Sequence, residues 1–363
     1  MADKYNMGGD GHKLLWHRQR VVDWMNGDTI PPLTIDMGIT KACNVACEFC
    51  YYAVPENQSP EIIPTDRMIA FLKDASEVGV KGIAIAGDGE TMTHKGIYDI
   101  VEAGVGVGLD MSISTNGLQL DEDRAKKFLE SLTWIRFQSS AATPKTYAKV
   151  MGTTEKNFYK FVENTKKCVA LKKQYDLDVT IGMLMVLVPR GGSDIVNFAE
   201  LGKELGVDYA CIKQCSESTH VGFDILDSEH KSLEDFYQSC IPDLKKAEGL
   251  SDEKYKVIVK WDKMFNKGKR GYNKCYGCEY LPQISGNGDL YNCGHFFGDE
   301  RFFIGNIVEQ SFKELFNSDR YKEVMNKTKT DVDVHQCGAN CRQNEANEFL
   351  WKLKNPPAHV NFV

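Results

Sequence analysis

Short apolar segments alternate with longer amphipathic segments through the first 215 residues of the chain. Apolar runs rich in Val, Ile, Leu and Met predict strands at residues 33–38, 82–86, 109–114, 134–138, 179–188 and 209–213. Helical spacing and acidic first turns predict helices at residues 65–78, 95–103, 121–131, 155–174 and 194–205. Six strand–helix units in a row are typical of an α/β protein with a parallel wound or barrel sheet. Gly104, Gly106 and Gly108 precede the third strand and are assigned to a turn.

The pattern changes after about residue 215. A polar helical stretch (228–247) leads through residues 254–260 to a Gly/Lys-rich segment at 267–271, which we take as a domain boundary. Short strands, glycines and cysteines follow, and the apolar residues near 349–353 predict a final helix. We therefore expect an N-terminal segment (1–32), an α/β core (33–220), a helical connector (221–270), a small C-terminal domain (271–345) and a tail (346–363).

Composition excludes several classes of protein. The 363 residues allow two or three domains at about 150 residues each. The net charge is 44 − 51 = −7, whereas nucleic-acid binding usually needs a basic surplus, so we expect no nucleic-acid partner. The longest apolar run, residues 181–188, falls far short of the ~20 residues that cross a bilayer, and no apolar secretion signal opens the chain. We expect a cytoplasmic protein without a membrane partner.

The twelve cysteines are unevenly placed, and in a reducing compartment clustered cysteines bind metal more often than they form disulfides. Cys43, Cys47 and Cys50 have the spacing CxxxCxxC and follow the first predicted strand. Three thiolates on one loop can hold three irons of a cubane and leave the fourth iron open, which is typical of a site that performs chemistry. A zinc loop, or cysteines buried as small hydrophobic residues, is the alternative, but no fourth zinc ligand follows closely.

The cysteine motif, with Phe49 before its last cysteine and Tyr51 after it, resembles the signature of radical S-adenosylmethionine (SAM) enzymes. The resemblance implies a partial (β/α)6 TIM-like barrel, a [4Fe–4S] cluster held by Cys43, Cys47 and Cys50, and SAM bound to its open iron. In that family, one electron from the reduced cluster cleaves SAM to methionine and a 5′-deoxyadenosyl radical, which abstracts a hydrogen atom. A flavodoxin- or ferredoxin-like electron donor is implied in the same way.

Three further segments match the family at the carboxyl ends of predicted strands, where a barrel places its active site. Residues 87–90 are similar to the glycine-rich segment that holds the SAM amino group, although glycine is commoner in the family at position 88 and proline at position 91. Residues 112–117 resemble the ribose and carboxylate contact, and residues 136–140 follow on the fourth strand. The cofactor-binding residues that these matches imply are Gly87, Asp88, Gly89, Glu90, Ser114, Asn116, Arg136 and Ser139.

A second set of cysteines lies in the last quarter of the chain: Cys275, Cys278, Cys293, Cys337 and Cys341. A hairpin turn at residues 286–289 would bring Cys278 and Cys293 together. From spacing alone, structural zinc is an open alternative. Together with residues 303–307 and 311–315, however, the set resembles the SPASM or shorter "twitch" extension, which carries auxiliary [4Fe–4S] clusters. The full SPASM pattern has seven cysteines, so five argue for one auxiliary cluster, held by Cys275 or Cys278 together with Cys293 and the final pair.

Candidate residues for the reaction lie on the sixth predicted strand, where Cys211, Lys213 and Cys215 alternate and therefore share one face. A thiol there could donate a hydrogen atom, as in radical SAM epimerases, and the lysine could act as a base in a dehydrogenation. The alternative is that Cys211 is a core residue and Lys213 a charge at the barrel rim. Only about thirty residues precede the first strand, too few for the leader-binding domain of many peptide-modifying relatives.

We therefore expect a radical SAM enzyme that oxidises or epimerises a small molecule, such as a sugar or a nucleotide-linked metabolite. Two alternatives remain open. One is a maturase that modifies a peptide or protein with the same cysteines. The other is a non-catalytic iron–sulfur or zinc-binding protein.

Overall fold

A single sheet of ten strands organises the chain in the computed structural model, which describes residues 13–50, 59–215, 225–226, 228–265, 269–338 and 341–361. The strands are β1 (Thr34–Met37), β2 (Gly82–Ile85), β3 (Asp110–Thr115), β4 (Trp134–Gln138), β5 (Thr180–Leu187), β6 (Tyr209–Gln214), β7 (Lys256–Val259), β8 (Gln283–Ile284), β9 (Asp289–Tyr291) and β10 (Phe303–Asn306). All six strands predicted from the hydrophobic pattern are confirmed, and the observed ends of β4 equal the predicted ones.

The α-helices of the described residues mostly follow strands and cover the outer face of the sheet. They are α1 (Arg18–Asn26), α2 (Thr65–Val78), α3 (Ile97–Gly106), α4 (Glu122–Glu130), α5 (Pro144–Val150), α6 (Glu155–Tyr175), α7 (Ile195–Leu205), α8 (Leu233–Ser239), α9 (Ile241–Glu248), α10 (Trp261–Phe265), α11 (Phe312–Asn317), α12 (Asp319–Asp331) and α13 (Asn344–Lys354). Asp121 caps α4 by accepting from the amides of Asp123 and Arg124, as its acidic start predicts.

Two details of the helical prediction are corrected by the structure. The assignment of Gly104 and Gly106 to a turn is wrong, because α3 extends through both. A Cβ at Gly104 would lie 2.3 Å from the sulfur of Met111, so this glycine lets the helix pack closely on β3. Residues 228–247 contain two short helices, α8 and α9, and Pro242 lies in the first turn of α9, a position that favours proline.

The strand order β10-β9-β8-β1-β2-β3-β4-β5-β6-β7 defines a partial barrel. Strands β1 to β7 pair in parallel in chain order, and β8 adds in parallel beside β1. Within the described residues β7 and β10 do not pair, so the barrel stays open. Strand β7 comes from the stretch that the sequence suggested as a connector. The sheet therefore continues from the α/β core into the C-terminal domain.

The predicted hairpin near residues 286–289 is confirmed by the antiparallel pairing of β8 with β9. Gly288 has a φ of +96°, the left-handed region that glycine adopts most readily, and its amide donates to the carbonyl of Ser285 at 2.9 Å. The hairpin lies against the core because β8 pairs with β1, where Asp36 opposes Gln283 and Met37 opposes Ile284.

The two faces of the parallel sheet differ in polarity. Strand residues that face the helices are apolar and buried; among them are Ile35, Met37, Ile83, Ile85, Met111 and Ile113. The opposite face lines the inside of the open barrel, which we call the lumen. Because side chains alternate along a strand, the register places Ser114 beside Arg136 on that face, and Lys213 on the same face of β6. The lumen is therefore the polar side of the sheet.

Both ends of the described chain pack together. Leu14, Val21 and Trp24 form a second apolar cluster with Tyr280 and Leu350, so α1 lies against α13. The predicted tail helix is thereby confirmed as α13. No helix in the described ranges is long and apolar enough to span a lipid bilayer.

Candidate active site

The loop with the first three cysteines follows β1 and is held by backbone hydrogen bonds to the end of α5. The amide of Ala46 donates to the carbonyl of Gly152 at 3.3 Å, and the amide of Glu48 donates to the carbonyl of Val150 at 3.0 Å. Gly152 has a φ of +57°, and a Cβ there would lie 2.0 Å from the Ala46 carbonyl oxygen. Only glycine therefore allows this close approach. No local sequence pattern indicates this role of Gly152.

The three thiols of this loop lie within electrostatic range of one another. Burial, followed by the charges of Cys50 and Cys43, raises the pKa of Cys47. Within the described ranges, no three His, Cys, Asp or Glu side chains converge closely enough to hold a single metal ion. The donor set fits an iron–sulfur cluster, in which each iron takes one thiolate, better than zinc, which needs four donors around one point.

Glu90 is buried at the centre of a hydrogen-bond network close to the cysteine loop. Its Oε1 accepts from the Met92 amide at 2.9 Å and from the Thr115 hydroxyl at 2.6 Å, and its Oε2 accepts from the Asn116 amide at 2.7 Å. Burial raises the pKa of Glu90, while these three donors oppose that rise. A carboxylate offers about four acceptor positions, so Oε2 can accept from one further donor, such as an ammonium group.

Asn116 connects this network to the cysteines. Its Nδ2 donates to Oδ1 of Asn44 at 2.6 Å, and Asn44 directly follows Cys43. Its Oδ1 accepts from the Leu118 amide at 3.1 Å, which fixes the orientation of the side chain. Sequence reasoning missed Asn44, because a polar residue between two cysteines carries no distinctive pattern.

The segment 87–89 packs against the protein's own backbone. A Cβ at Gly87 would lie 2.4 Å from the amide nitrogen of Gly38. At Gly89, where φ is +67°, a Cβ would lie 2.4 Å from the carbonyl oxygen of Thr40. These glycines bring the ends of β1 and β2 together and so shape the cysteine loop. Asp88 between them is buried, and its Oδ2 accepts from the amide of Gly286 at 2.8 Å.

The remaining predicted cofactor residues are placed differently. Arg136 faces the lumen, where its Nε donates to the hydroxyl of Ser114 at 3.4 Å and its guanidinium lies 5.4 Å from the ring centroid of Trp134. Ser139 is fully buried, and its hydroxyl donates to the Ala141 carbonyl at 2.7 Å, so it stabilises its own turn. Phe49 packs against the main core. Tyr51 lies outside the described residues.

Of the three candidate reaction residues, Cys211 and Lys213 lie on β6, and Cys215 follows its last residue, towards the cysteine loop. Cys211 is buried in the lumen with Leu184 and Tyr209. Burial, followed by the charges of Arg136 and Lys263, lowers the pKa of Lys213 to about 8. Burial raises the pKa of Cys215 to about 12, and among smaller contributions Lys213 lowers it while Glu48 and Cys50 raise it. The effect of Cys50 on the pKa of Cys215 relates the end of β6 to the first cysteine loop.

Two more cations reach this region from elements that sequence reasoning did not connect with it. Lys263 lies on α10, and its charge, like that of Arg342, lowers the pKa of Lys213. Arg342 binds the buried Asp36 through Nη1 and Oδ2 at 2.7 Å. Only the three-dimensional fold brings these residues to the lumen, because Lys263 follows β7 and Arg342 follows Cys341.

The five cysteines of the second set influence one another's pKa values. Burial, followed by the charges of Cys341, Cys275 and Cys337, raises the pKa of Cys293. A side-chain hydrogen bond between Cys278 and Cys275 raises the pKa of Cys278 and lowers that of Cys275, and the Cys278 thiol also lies 3.5 Å from the Cys275 carbonyl oxygen. The charge of Cys275 acts on Cys293, Cys337 and Cys341, and we take this group of four as the candidate ligands of one cubane.

Comparison with known proteins agrees with this geometry. Residues 37–201 match the radical SAM superfamily, and residues 275–342 match the SPASM iron–sulfur cluster-binding domain. The chain belongs to the radical SAM superfamily. The SPASM match follows the radical SAM match along the chain, so the protein is a member of the SPASM subgroup. Its cofactors are accordingly SAM, a SAM-binding [4Fe–4S] cluster and an auxiliary cluster.

Individual relatives are distant. The chain is 26% identical over 251 residues to GTP 3′,8-cyclase of Helicobacter pylori (strain HPAG1), an alignment that covers 68% of this chain and 69% of the relative. Its fold is similar to SuiB of Streptococcus suis bound to S-adenosylmethionine, with a TM-score of 0.63, 17% identity, and 84% and 70% of the two chains covered. The SAM-bound protein anSMEcpe gives a TM-score of 0.58, 17% identity, and 87% and 88% coverage.

Proposed function

We propose that this enzyme abstracts a hydrogen atom from a C–H bond of a small, polar molecule and so oxidises or epimerises it. The observation that carries the proposal is the connection from Glu90 through Asn116 to Asn44, which joins the expected SAM site to the cysteine loop. When bound, the cluster and SAM supply a 5′-deoxyadenosyl radical at this end of the barrel. A reduced flavodoxin- or ferredoxin-like protein supplies the one electron consumed per SAM.

In this proposal Cys43, Cys47 and Cys50 hold the cluster, and Glu90 orients the SAM ammonium through the free acceptor position of Oε2. Hydrogen bonds with Asn44 and Leu118 fix the side chain of Asn116 beside that carboxylate. Ser114 on β3 and Arg136 on β4 are neighbours in the lumen and would bind the ribose and carboxylate groups of SAM. The four C-terminal thiols hold the auxiliary cluster.

Two outcomes are available once the substrate has lost its hydrogen atom. In an epimerisation, Cys215 would return a hydrogen atom to the opposite face of the substrate, and a second electron from the flavodoxin- or ferredoxin-like donor, with a proton from water, would restore its thiol. The effect of the Cys50 charge on the Cys215 pKa supports this role. In an oxidation, the C-terminal thiols would hold an auxiliary cluster able to accept one electron, and neutral Lys213 would take the proton that the substrate loses. Both outcomes begin with the same transfer of a hydrogen atom from the substrate to the 5′-deoxyadenosyl group, which leaves as 5′-deoxyadenosine.

A small molecule is favoured over a peptide by the relative whose name specifies a nucleotide, GTP, and by the polar lumen. SuiB has also been determined with its precursor peptide SuiA, but that likeness is one of fold alone. Maturation of a peptide or protein is therefore an outcome that the test must be able to detect.

The test incubates anaerobically reconstituted, dithionite-reduced enzyme with SAM and a panel of deuterated sugar phosphates, nucleotide sugars and peptides. Deuterium in 5′-deoxyadenosine, together with a mass change of the small molecule, supports the proposal. Deuterium from peptides alone would establish the maturase alternative. Absence of 5′-deoxyadenosine would support a non-catalytic iron–sulfur or zinc-binding protein. The Cys47→Ala variant is the control, because it removes a cluster ligand and leaves the lumen intact.

A further inference from the structure

Cations from β4, β6, the end of β7 and α10 lie around the lumen. Arg136 on β4 and Lys213 on β6 share the inner face of the sheet. The strand register places Lys260, which directly follows β7, on the same face. Lys263 on α10 adds a further charge, which lowers the pKa of Lys213. Their half-buried side chains are separated from bulk water more than ordinary surface lysines are.

Few acids balance these charges. Among the described residues, no carboxylate forms an ion pair with Lys213 or Lys263, although Glu345 exerts a longer-range attraction on Lys263. Asp36 is the buried acid of the lumen strands, and its Oδ2 is already engaged by Arg342 at 2.7 Å and by Gln283 at 3.3 Å. The region therefore has a surplus of positive charge.

Keeping several cations close together and away from water is unfavourable unless an anion offsets the cost. A second observation points to a ligand here: Oδ1 of Asp36 is buried, with no hydrogen-bond partner in the described part of the chain. A buried acceptor without a donor is uncommon in folded proteins. A polar ligand could supply both an anion for the lysines and a donor, such as a hydroxyl group, for Asp36.

We propose that Lys213 and Lys263, with Arg136 on the same inner face, bind a phosphate group of the substrate inside the barrel. The inference rests on the proposed function, because it specifies which small molecules enter the lumen. Lysines act as point charges that bind phosphate without requiring the planar geometry of a carboxylate. Phosphorylated molecules that also carry a hydroxyl group, such as sugar phosphates and nucleotides, fit this arrangement.

The test measures binding of inorganic pyrophosphate to reconstituted holoenzyme by anaerobic calorimetry. We expect Lys213→Gln and Lys263→Gln each to weaken binding about tenfold, the loss typical of one charged hydrogen bond. Lys213→Arg and Lys263→Arg keep the charge and should bind within about threefold of the unmodified protein. Lys322→Gln, on the exposed surface of α12, is the matched control. Binding that is unchanged in both glutamine variants would overturn the inference.

A parallel series with citrate separates phosphate from carboxylate recognition, and tighter binding of citrate would overturn the assignment to phosphate. Formation of 5′-deoxyadenosine by the unmodified enzyme is measured in the same preparation. Enzyme that makes 5′-deoxyadenosine but does not bind pyrophosphate refutes the phosphate site alone. Enzyme that binds pyrophosphate but makes no 5′-deoxyadenosine refutes the proposed function and leaves the phosphate site standing.

Discussion

The carboxylate of Asp88, in the loop after β2, accepts a hydrogen bond at 2.8 Å from the backbone amide of Gly286, 198 residues further along the chain. Gly286 belongs to the β8–β9 turn, so this contact fastens the C-terminal domain to the loop that precedes Glu90. A Cβ at Gly286 would lie 2.6 Å from the carbonyl of Thr40, which shows how closely the turn approaches the start of the cysteine loop. The departure from the family's glycine at position 88 thus has a structural reason.

Replacing Asp88 by Ala should destabilise the protein by about 1–3 kcal/mol, because the buried Gly286 amide would lose its acceptor. Asp88→Asn keeps an oxygen at this position and should recover much of the loss. Urea denaturation of the two variants measures the difference. Asp110→Ala, at the exposed start of β3, is the control. Equal stability of the Asp88→Ala and Asp110→Ala variants would show that the hydrogen bond contributes nothing.

The grouping of the C-terminal thiols predicts unequal effects of two cysteine substitutions. Reconstituted enzyme with two cubanes should contain about eight iron atoms per chain. Cys278→Ala should retain about eight, because Cys278 lies outside the group of four, whereas Cys293→Ala should fall towards about four. Iron and sulfide analysis provides the measurement, and Cys168→Ala, at a buried position of α6, controls for loss of a buried thiol. Loss of iron from Cys278→Ala equal to that from Cys293→Ala would contradict this ligand set.

The two roles considered for Lys213 predict opposite dependences on pH. The charged groups that act on it are Arg136 from β4, Lys263 from α10, Arg342, and Cys211 on its own strand, and burial is the largest influence. With a pKa of about 8, Lys213 is mostly an ammonium at neutral pH and loses its proton above it. Phosphate binding requires the ammonium, whereas a base requires the neutral amine.

Pyrophosphate affinity should therefore decline as the pH rises through about 8, relative to Lys213→Arg, whose guanidinium stays charged. Calorimetric titrations of both proteins from pH ~6.5 to ~9.5 give the ratio of their affinities and cancel the titration of pyrophosphate itself. A ratio that stays constant over this range would refute a role for the Lys213 ammonium in binding.

Much of the fold could be predicted from the sequence because its signals are local. The α2 helix begins and ends at the predicted residues, Thr65 and Val78, since apolar spacing and Gly79 mark its limits. The β8–β9 hairpin follows from its own turn residues. Strand β7 was assigned to a connector instead, because a four-residue strand among lysines has a weak hydrophobic pattern.

The candidate site, like the fold, could be predicted from the sequence only where its signals are local. The three cysteines of the first loop and Glu90 stand out through spacing and resemblance, and the structure places them near one another. Contacts between distant segments left no local pattern: Gly152 against Ala46, Asp88 against Gly286, and Lys263 beside Lys213. Such contacts depend on strand order and loop packing, which the separate segments do not encode.

The central claim is that Cys43, Cys47 and Cys50 hold a cubane whose fourth iron binds SAM. Electron paramagnetic resonance of the dithionite-reduced holoenzyme, recorded with and without SAM, tests it most directly. The account predicts a changed spectrum when SAM is added, and no change in a variant with all three cysteines replaced by Ala. An identical spectrum of the unmodified holoenzyme before and after addition of SAM would contradict the account.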